Sequence, residues 1–430
     1  MTVTLLDPGR LGAGAYFVDQ FANTVNTAIF GQGLTSYETG SGWWRYAAWY
    51  GADGQVRVGR RSPGGGPWEV LTLPITLGSQ DHHRTLSLGV SYVDGRLHLT
   101  GNCHNSAATY TRTAVAVLDN LPAWEPALFE APTDTLVGTV AGFMTYPSCV
   151  SKPDGGLLLV YRNGISGNGR TRLASYDGAG WTVLGDVSSA GGTWTNPHTG
   201  VASTTRCLYW AGPLYDPIGR LHMTGTWREG NKSSWCSAGQ PFGNHHAVYV
   251  YSDDGGVTWR NNAGALVATT GSTPFSVTSP GILADAGTGI GYCMQVPGMA
   301  LGPGGLVGYL PDYVRGSLLP GADAVKCCSS EAQRVDLTGQ HPRWRDPATG
   351  AWSAKSVVAG GQNVFCEYPP GRAGRGHMVF GPSGDMHVFF SGFRVYSATA
   401  NSGYSDWALT FDGRKYLNAF GEAQIDRSRA

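Results

Sequence analysis

The chain has 430 residues, with 64 glycines, 14 tryptophans and 20 tyrosines, and only 14% charged residues. Thirty basic and 30 acidic side chains give a formal charge of zero, which excludes the strongly basic surface of a nucleic-acid-coating protein. No run of 18 apolar residues occurs, so a membrane-spanning helix is excluded too, and short strands joined by glycine turns are expected.

The opening, Met1 to Pro8, lacks the basic-then-apolar pattern of a secretion signal. For a secreted chain, the expectation is a signal already removed from this sequence or release by another route, for example in a phage particle. The eight cysteines form no CxxC pair and do not assign a compartment. After a strand-like stretch from Ala15 to Ile29, one unit recurs: an apolar strand, a turn with glycine, two further apolar strands, then tryptophan. The turn and second strand appear as Asp53-Gly54-Gln55-Val56, Asp94-Gly95-Arg96-Leu97-His98 and Asp154-Gly155-Gly156-Leu157. They return as Gly219-Arg220-Leu221-His222, Gly304-Gly305-Leu306-Val307 and Gly384-Asp385-Met386-His387. The closing tryptophans are Trp68, Trp124, Trp181, Trp259, Trp352 and Trp407, spaced 56, 57, 78, 93 and 55 residues apart. Repetition on this scale with four strands per unit predicts an all-β β-propeller. Six units are read directly, and the two chain ends would close a seventh blade of a single domain over 1–430. A large β-sandwich is the alternative. Ser252-Asp253-Asp254-Gly255-Gly256-Val257-Thr258-Trp259 fits S-x-D-x-G-x-T-W, the Asp box of sialidase-type propellers, which knits a turn far from any central cleft.

Polar residues concentrate in two stretches. The first is Asp81-His82-His83, His98 and His104-Asn105; the second is Thr145-Tyr146-Pro147 with Tyr161-Arg162-Asn163-Gly164-Ile165-Ser166-Gly167-Asn168-Gly169. The glycines around Ser166 are expected to let a ligand approach the backbone. A tyrosine, an arginine and two histidines at strand ends suit proton abstraction beside a carboxylate. Each has a plainer reading. His83 could simply bond Asp81, Tyr146 could be a blade-edge aromatic, and Arg162 could pair with an aspartate as a strut. His98 occupies a strand position shared with His222 and His387, so packing is expected there. No nucleophile elbow, P-loop, dinucleotide fingerprint or H-E-x-x-H is present. Cys236 with His245 and His246 comes nearest to a metal-ligand spacing, so either a structural zinc or calcium ion or ordinary loop packing is expected there.

These motifs resemble the BNR-repeat family that includes the propeller-type ulvan lyases. The matching pieces are Asp81-x-His83, Gly95-Arg96-Leu97-His98 with His104-Asn105, Thr145-Tyr146-Pro147, and Tyr161-Arg162-x-Gly164-x-Ser166-Gly167-x-Gly169. Gly219-Arg220-Leu221-His222, Trp227-Arg228-Glu229 and Asn244-His245 continue the match, with a weaker one at Arg375-Gly376-His377. The resemblance implies a seven-bladed propeller that cleaves uronic-acid polysaccharides by β-elimination. It implies His83 and Tyr146 as the base and acid pair, Arg162 as the group that neutralises the uronate carboxylate, and His104 in support. Asn105, Tyr209, Arg228, His82 and Ser166 are the expected substrate contacts. The partner is an anionic polysaccharide and the location extracellular, or a phage virion. Catalysis needs no cofactor, and a monomer is expected. Cys103 beside His104 departs from the family pattern and bears on the pocket's shape.

The chemistry agrees with those residue types. The C5 proton of a uronate is far less acidic than any side chain, so the developing charge must be stabilised. Arg162 can do so with a bidentate pair that lysine cannot imitate. A neutral His83 can accept the proton, and a Tyr146 phenol beside a guanidinium can donate one, or accept it if its pKa is lowered. Which of the two acts as base depends on the epimer at C5. Two alternatives stand beside the lyase reading. A sialidase- or arabinanase-type hydrolase would need paired carboxylates or a Tyr–Glu nucleophile, which the conspicuous motifs do not supply. A non-catalytic glycan-binding propeller, such as a phage tail component, is the other.

Overall fold

In the computed structural model, the described residues are 17–18, 23–24, 32–118, 122–195, 200–230, 244–285, 298–310, 312–314, 338–340, 342–353, 377–390 and 394–413. Among them the regular structure is strand with a few single turns of 3-10 helix, and no helix is long and apolar enough to cross a membrane. The described residues up to 164, together with 171–185, form one compact unit. Residues 165–170 and the described residues from 186 onward form the other.

The first unit begins with an antiparallel meander of Leu34–Thr39, Gly42–Tyr50, Gln55–Arg61 and Glu69–Thr76. A second sheet centres Leu97–Gly101 between Leu86–Val90 and Thr109–Arg112. A third sheet orders His104–Ser106, Met144–Ser151, Leu157–Ile165, Asn168–Tyr176 and Trp181–Asp186 side by side. Val56, Val58, Leu71 and Leu73 of the meander share one core with Leu86, Leu88, Leu97 and Leu99 of the second sheet. Sheet therefore packs on sheet, and strands such as Leu86–Val90 are buried on both faces.

In the second unit, Arg206–Tyr215, Leu221–Glu229, Asn244–Ser252, Thr258–Arg260 and Leu266–Thr269 form an antiparallel meander, and Leu283–Asp285 joins the third strand. Gly298–Gly302, Leu306–Leu310 and Arg343–Arg345 form a three-stranded sheet. His377–Phe380, Met386–Phe390, Arg394–Ala398 and Ala408–Asp412 form a four-stranded one.

The repeated Asp-Gly turn has one physical basis. Asp53, Asp94, Asp154 and Asp216 each accept, at Oδ1, a backbone N–H two residues on, at 2.9–3.4 Å. Gly54, Gly95, Gly155 and Gly219 take the positive φ of 69–88° that closes the turn. The turn at 252–259 is held by its own side chains. Asp254 Oδ1 accepts the Val257 and Thr258 backbone N–H groups, while Ser252 Oγ accepts that of Gly256. Trp181 and Trp259 are buried, whereas Trp68 lies partly exposed beneath the Arg61 guanidinium, 5.9 Å from its ring centre. Trp124, also partly buried, packs against the same core near Tyr46 and Phe129. The described cysteines, Cys103, Cys149 and Cys207, are buried free thiols.

The packing role expected for His98 holds. Its Nδ1 lies 2.8 Å from the Tyr110 hydroxyl, which itself accepts from Trp181 Nε1 at 3.2 Å. The imidazole is held in its neutral form by burial. His222 repeats the pattern with Tyr249 at 2.8 Å, and His387 with Ser397 at 2.8 Å. Burial pushes His98 down to about 3, against an ordinary 6.5. The folded state thus binds fewer protons than the unfolded one between those values. The stabilisation is complete above pH 6.5 and falls by about 1.4 kcal/mol per pH unit below it, levelling near pH 3. In urea unfolding, the wild type should lose about 2 kcal/mol more than His98→Gln between pH 7 and pH 5. Equal losses would show that His98 is not buried in its neutral form.

Candidate active site

Within the first unit, a short loop ahead of strand Leu86–Val90 carries Asp81, His82 and His83. Asp81 Oδ1 accepts the His83 backbone N–H at 3.0 Å and lies 2.5 Å from His83 Nδ1. Its Oδ2 lies 2.6 Å from Nδ1 of His104, at the start of strand His104–Ser106. The two imidazoles stack with centres 4.2 Å apart and planes 19° from parallel, and His82 lies 3.9 Å from His83 on another side. The His83 ring centre is 5.7 Å from that of Tyr146, over which the Arg162 guanidinium sits at 5.3 Å. Four side chains singled out in the sequence, His83, His104, Tyr146 and Arg162, therefore gather at one place.

Strand register explains how. Thr145 pairs with His104 on one side and Arg162 on the other, which sets the three in a row across adjacent strands. Irregularities flank this row on both sides of Thr145. Tyr146 adopts φ 57° and Asn105 φ 50°, left-handed values that bulky residues seldom take. Asn105 is held there by its backbone N–H, which donates to Thr145 Oγ1 at 2.8 Å, while its own side chain is exposed. Arg162 is buried, and its Nε donates to the Gly164 carbonyl at 3.1 Å.

Electrostatics sort the roles. Burial works against the Asp81 charge, but hydrogen bonds from His104, His83 and the His83 backbone overcome it and hold the carboxyl far below its usual range. An ionised carboxylate only accepts, so each histidine turns an Nδ1–H towards Asp81, and the neutral form of either ring then has its lone pair on Nε2. Burial lowers the pKa of His83, with the Arg162 charge adding to it and the Asp81 contact opposing it. His83 is thus a neutral base at neutral pH. The ligand atoms of Asp81, His82 and His83 lie within 4.8 Å of one another, but both Asp81 oxygens are engaged by imidazoles, a hydrogen-bonded arrangement rather than a metal-ligand one.

The remaining candidates fall in the second unit. Ser166 Oγ lies 3.0 Å from the Tyr209 hydroxyl and accepts from Arg228 Nε at 2.9 Å. Arg228 also donates to Asn244 Oδ1 at 3.0 Å, and its guanidinium lies 5.6 Å from the Tyr209 ring centre. Beside them Glu229 accepts from Arg206 at 2.8 and 3.1 Å and from His245 Nε2 at 2.7 Å, while Trp194 stacks on His245 at 3.7 Å. His245 Nδ1 is 3.1 Å from His246 Nδ1, so both of its ring nitrogens are engaged within the protein. Its suggested metal partner Cys236 lies outside the described residues. One expectation is corrected. A Cβ on Gly167 would come within 2.6 Å of the Gly230 Cα and 2.8 Å of the Glu229 carbonyl oxygen, so Gly167 is small to admit neighbouring backbone rather than a ligand. Sequence reasoning missed Asp81 as the group joining two histidines, since only the His83 half of that contact is local in the chain.

A model of the BNR repeat-containing family matches residues 44–305, and the chain belongs to that family. No curated protein sequence matches it. Among solved structures it is similar to the polysaccharide lyase Uly1, at 15% identity and TM-score 0.58, over 95% of this chain and 84% of that one. It is also similar to a PL25 ulvan lyase bound to -[GlcA(1-4)Rha3S]-, at 12% identity and TM-score 0.62, over 93% of this chain and 84% of that one. At these identities the likeness shows the fold, and the all-β propeller class expected from the repeats agrees with it.

The proximity of Arg162 makes the His83 titration testable. In the wild type the His83 imidazole should titrate below 6.5 by NMR. Arg162→Gln removes a cation that disfavours protonation, so the midpoint should move upward. A midpoint above 6.5 in the wild type, or a downward move in the variant, would contradict this electrostatic arrangement.

Proposed function

We propose that this BNR-repeat protein is a polysaccharide lyase that cleaves a uronic-acid-containing polymer by β-elimination. The observation that carries the reading is the Asp81-bound, neutral His83 facing a Tyr146 whose ring lies under Arg162. In this reading the Arg162 guanidinium receives the uronate carboxylate and offsets the charge that grows on it as the C5 proton leaves. His83 Nε2 takes that proton. The C4–O bond then breaks, its electrons leave with the glycosidic oxygen, and the Tyr146 phenol supplies the proton that oxygen needs. The product has a C4=C5 double bond in the new non-reducing uronate. For the opposite C5 epimer the proton lies on the other face of the ring, and the two roles exchange. His104 supports the base, while His82 and Asn105 border the site as substrate contacts.

A rhamnose–glucuronate polymer such as ulvan is the substrate class we infer, on the basis of the glycan held by the similar PL25 lyase. In the second unit, Ser166, Tyr209 and Arg228 form a polar, cationic group suited by itself to anionic or hydroxyl groups of a glycan. An extracellular site of action follows from such a substrate.

Digests of ulvan and other glucuronate- or iduronate-containing polymers should show rising near-ultraviolet absorbance from the unsaturated product. Tyr146→Phe should lower kcat by about 10²–10⁴-fold and Arg162→Lys should lower kcat/KM by about 10²–10³-fold. The rate should increase with pH through an acid limb below 6.5, because only neutral His83 accepts a proton. Reducing sugar released without absorbance would replace the lyase by a hydrolase. Tight polymer binding with no product, unchanged in Tyr146→Phe, would replace it by a glycan-binding propeller.

A further inference from the structure

We infer that Asp81 is a positioning residue for two histidines at once, fixing His83 and His104 in the same Nδ1–H tautomer so that both present Nε2 to the site. The inference deepens the lyase reading and rests on it only for its kinetic consequence. Its structural content stands on three observations. The two carboxylate oxygens are divided between the rings, Oδ1 to His83 at 2.5 Å and Oδ2 to His104 at 2.6 Å. The rings stack at 4.2 Å, so the shared anion holds them as one body. Asp81 is itself anchored, since the His83 backbone N–H donates to Oδ1 and the Asp81 N–H to the Ser79 carbonyl.

The consequence is chemical. A neutral imidazole without this partner divides its proton between two nitrogens, and only one tautomer puts a lone pair on Nε2. Asp81 removes that choice for both rings and stabilises the imidazolium formed when His83 takes a proton. The titratable and charged groups facing the pair are His82 from the same loop, and Tyr146 and Arg162 from the neighbouring strands. None of these supplies an anion, so Asp81 alone compensates the protonated pair among the described residues.

Nitrogen-15 NMR of the intact protein at pH 7.5 tests the tautomers directly, with the two histidines assigned by His83→Gln and His104→Gln. Both should show a protonated Nδ1 and an unprotonated Nε2. In Asp81→Asn the amide offers one acceptor and one donor face. One ring should therefore keep Nδ1–H while the other switches to Nε2–H. Kinetically, Asp81→Asn should lower kcat at least about 10²-fold with KM changed less than about threefold, and should move the acid limb to lower pH. Asp81→Glu should restore part of kcat. A mixed or Nε2–H tautomer for either histidine in the wild type would overturn the inference without any variant. So would an Asp81→Asn protein with both tautomers unchanged. If the tautomers are as stated but no polymer yields unsaturated product, the lyase reading fails and the positioning role stands.

Discussion

The site depends on a carboxylate that has lost part of its water. Asp81 is about one-fifth exposed, and an anion so placed needs strong donors. Two imidazole N–H groups and one backbone N–H supply them, and in doing so they fix the protonation pattern of the whole cluster. The same contact limits the charge the pair can carry. One imidazolium is compensated by Asp81, but a second at 4.2 Å would meet the first with about 4 kcal/mol of repulsion at an effective dielectric near 20. At most one of the two stacked rings therefore takes up an extra proton at a time. Arg162 adds a fixed positive charge nearby and biases His83 further towards its neutral form.

That arrangement requires a backbone departing from ideal sheet. In a regular ladder Thr145 would place its neighbours on alternating faces, and Tyr146 would point away from the face where His104 and Arg162 are aligned. The irregularities on either side of Thr145, with left-handed Tyr146 and Asn105, re-aim those positions. A non-glycine residue in that conformation costs about 1–2 kcal/mol. The cost is met by the register on both sides of Thr145 and by the Asn105 N–H bond to its hydroxyl.

Much of the fold was legible because its units repeat a physical device. The Asp-Gly turns were readable since an aspartate two residues before a backbone N–H and a glycine able to take positive φ leave a local signature. The turn held by Ser252 and Asp254 has the same local basis. Trp68 stands ahead of Glu69–Thr76 as Trp407 stands ahead of Ala408–Asp412, and only packing decides how deeply each ring is buried. At the site, residue types and strand-end positions marked out His83, His104, Tyr146 and Arg162. The double role of Asp81 was not legible, because His104 lies 23 residues away and reaches it only through sheet register. The small size of Gly167 was visible, but the neighbour it admits, the chain at Gly230, is more than 60 residues off.

The two charged clusters contain the same residue types and differ in what burial allows them to do. Arg206, Glu229 and His245 are 0, 2 and 0% exposed, with Glu229 bonded on both sides and Arg206 also capping the Gly191 and Gly192 carbonyls. Each charge there is answered within the protein, so the cluster acts as a clamp that holds strands Leu221–Glu229 and Asn244–Ser252 in place. Around Asp81 the anion is bonded to Nδ1 of both rings, and the side chains of His83 and His104 remain 27 and 33% exposed. Their second nitrogens are thus left for something outside the cluster. A network built for stability closes on itself; the one at Asp81 is closed on the side of the carboxylate and open on the side of the bases, which is the asymmetry that moving a proton to or from a ligand requires.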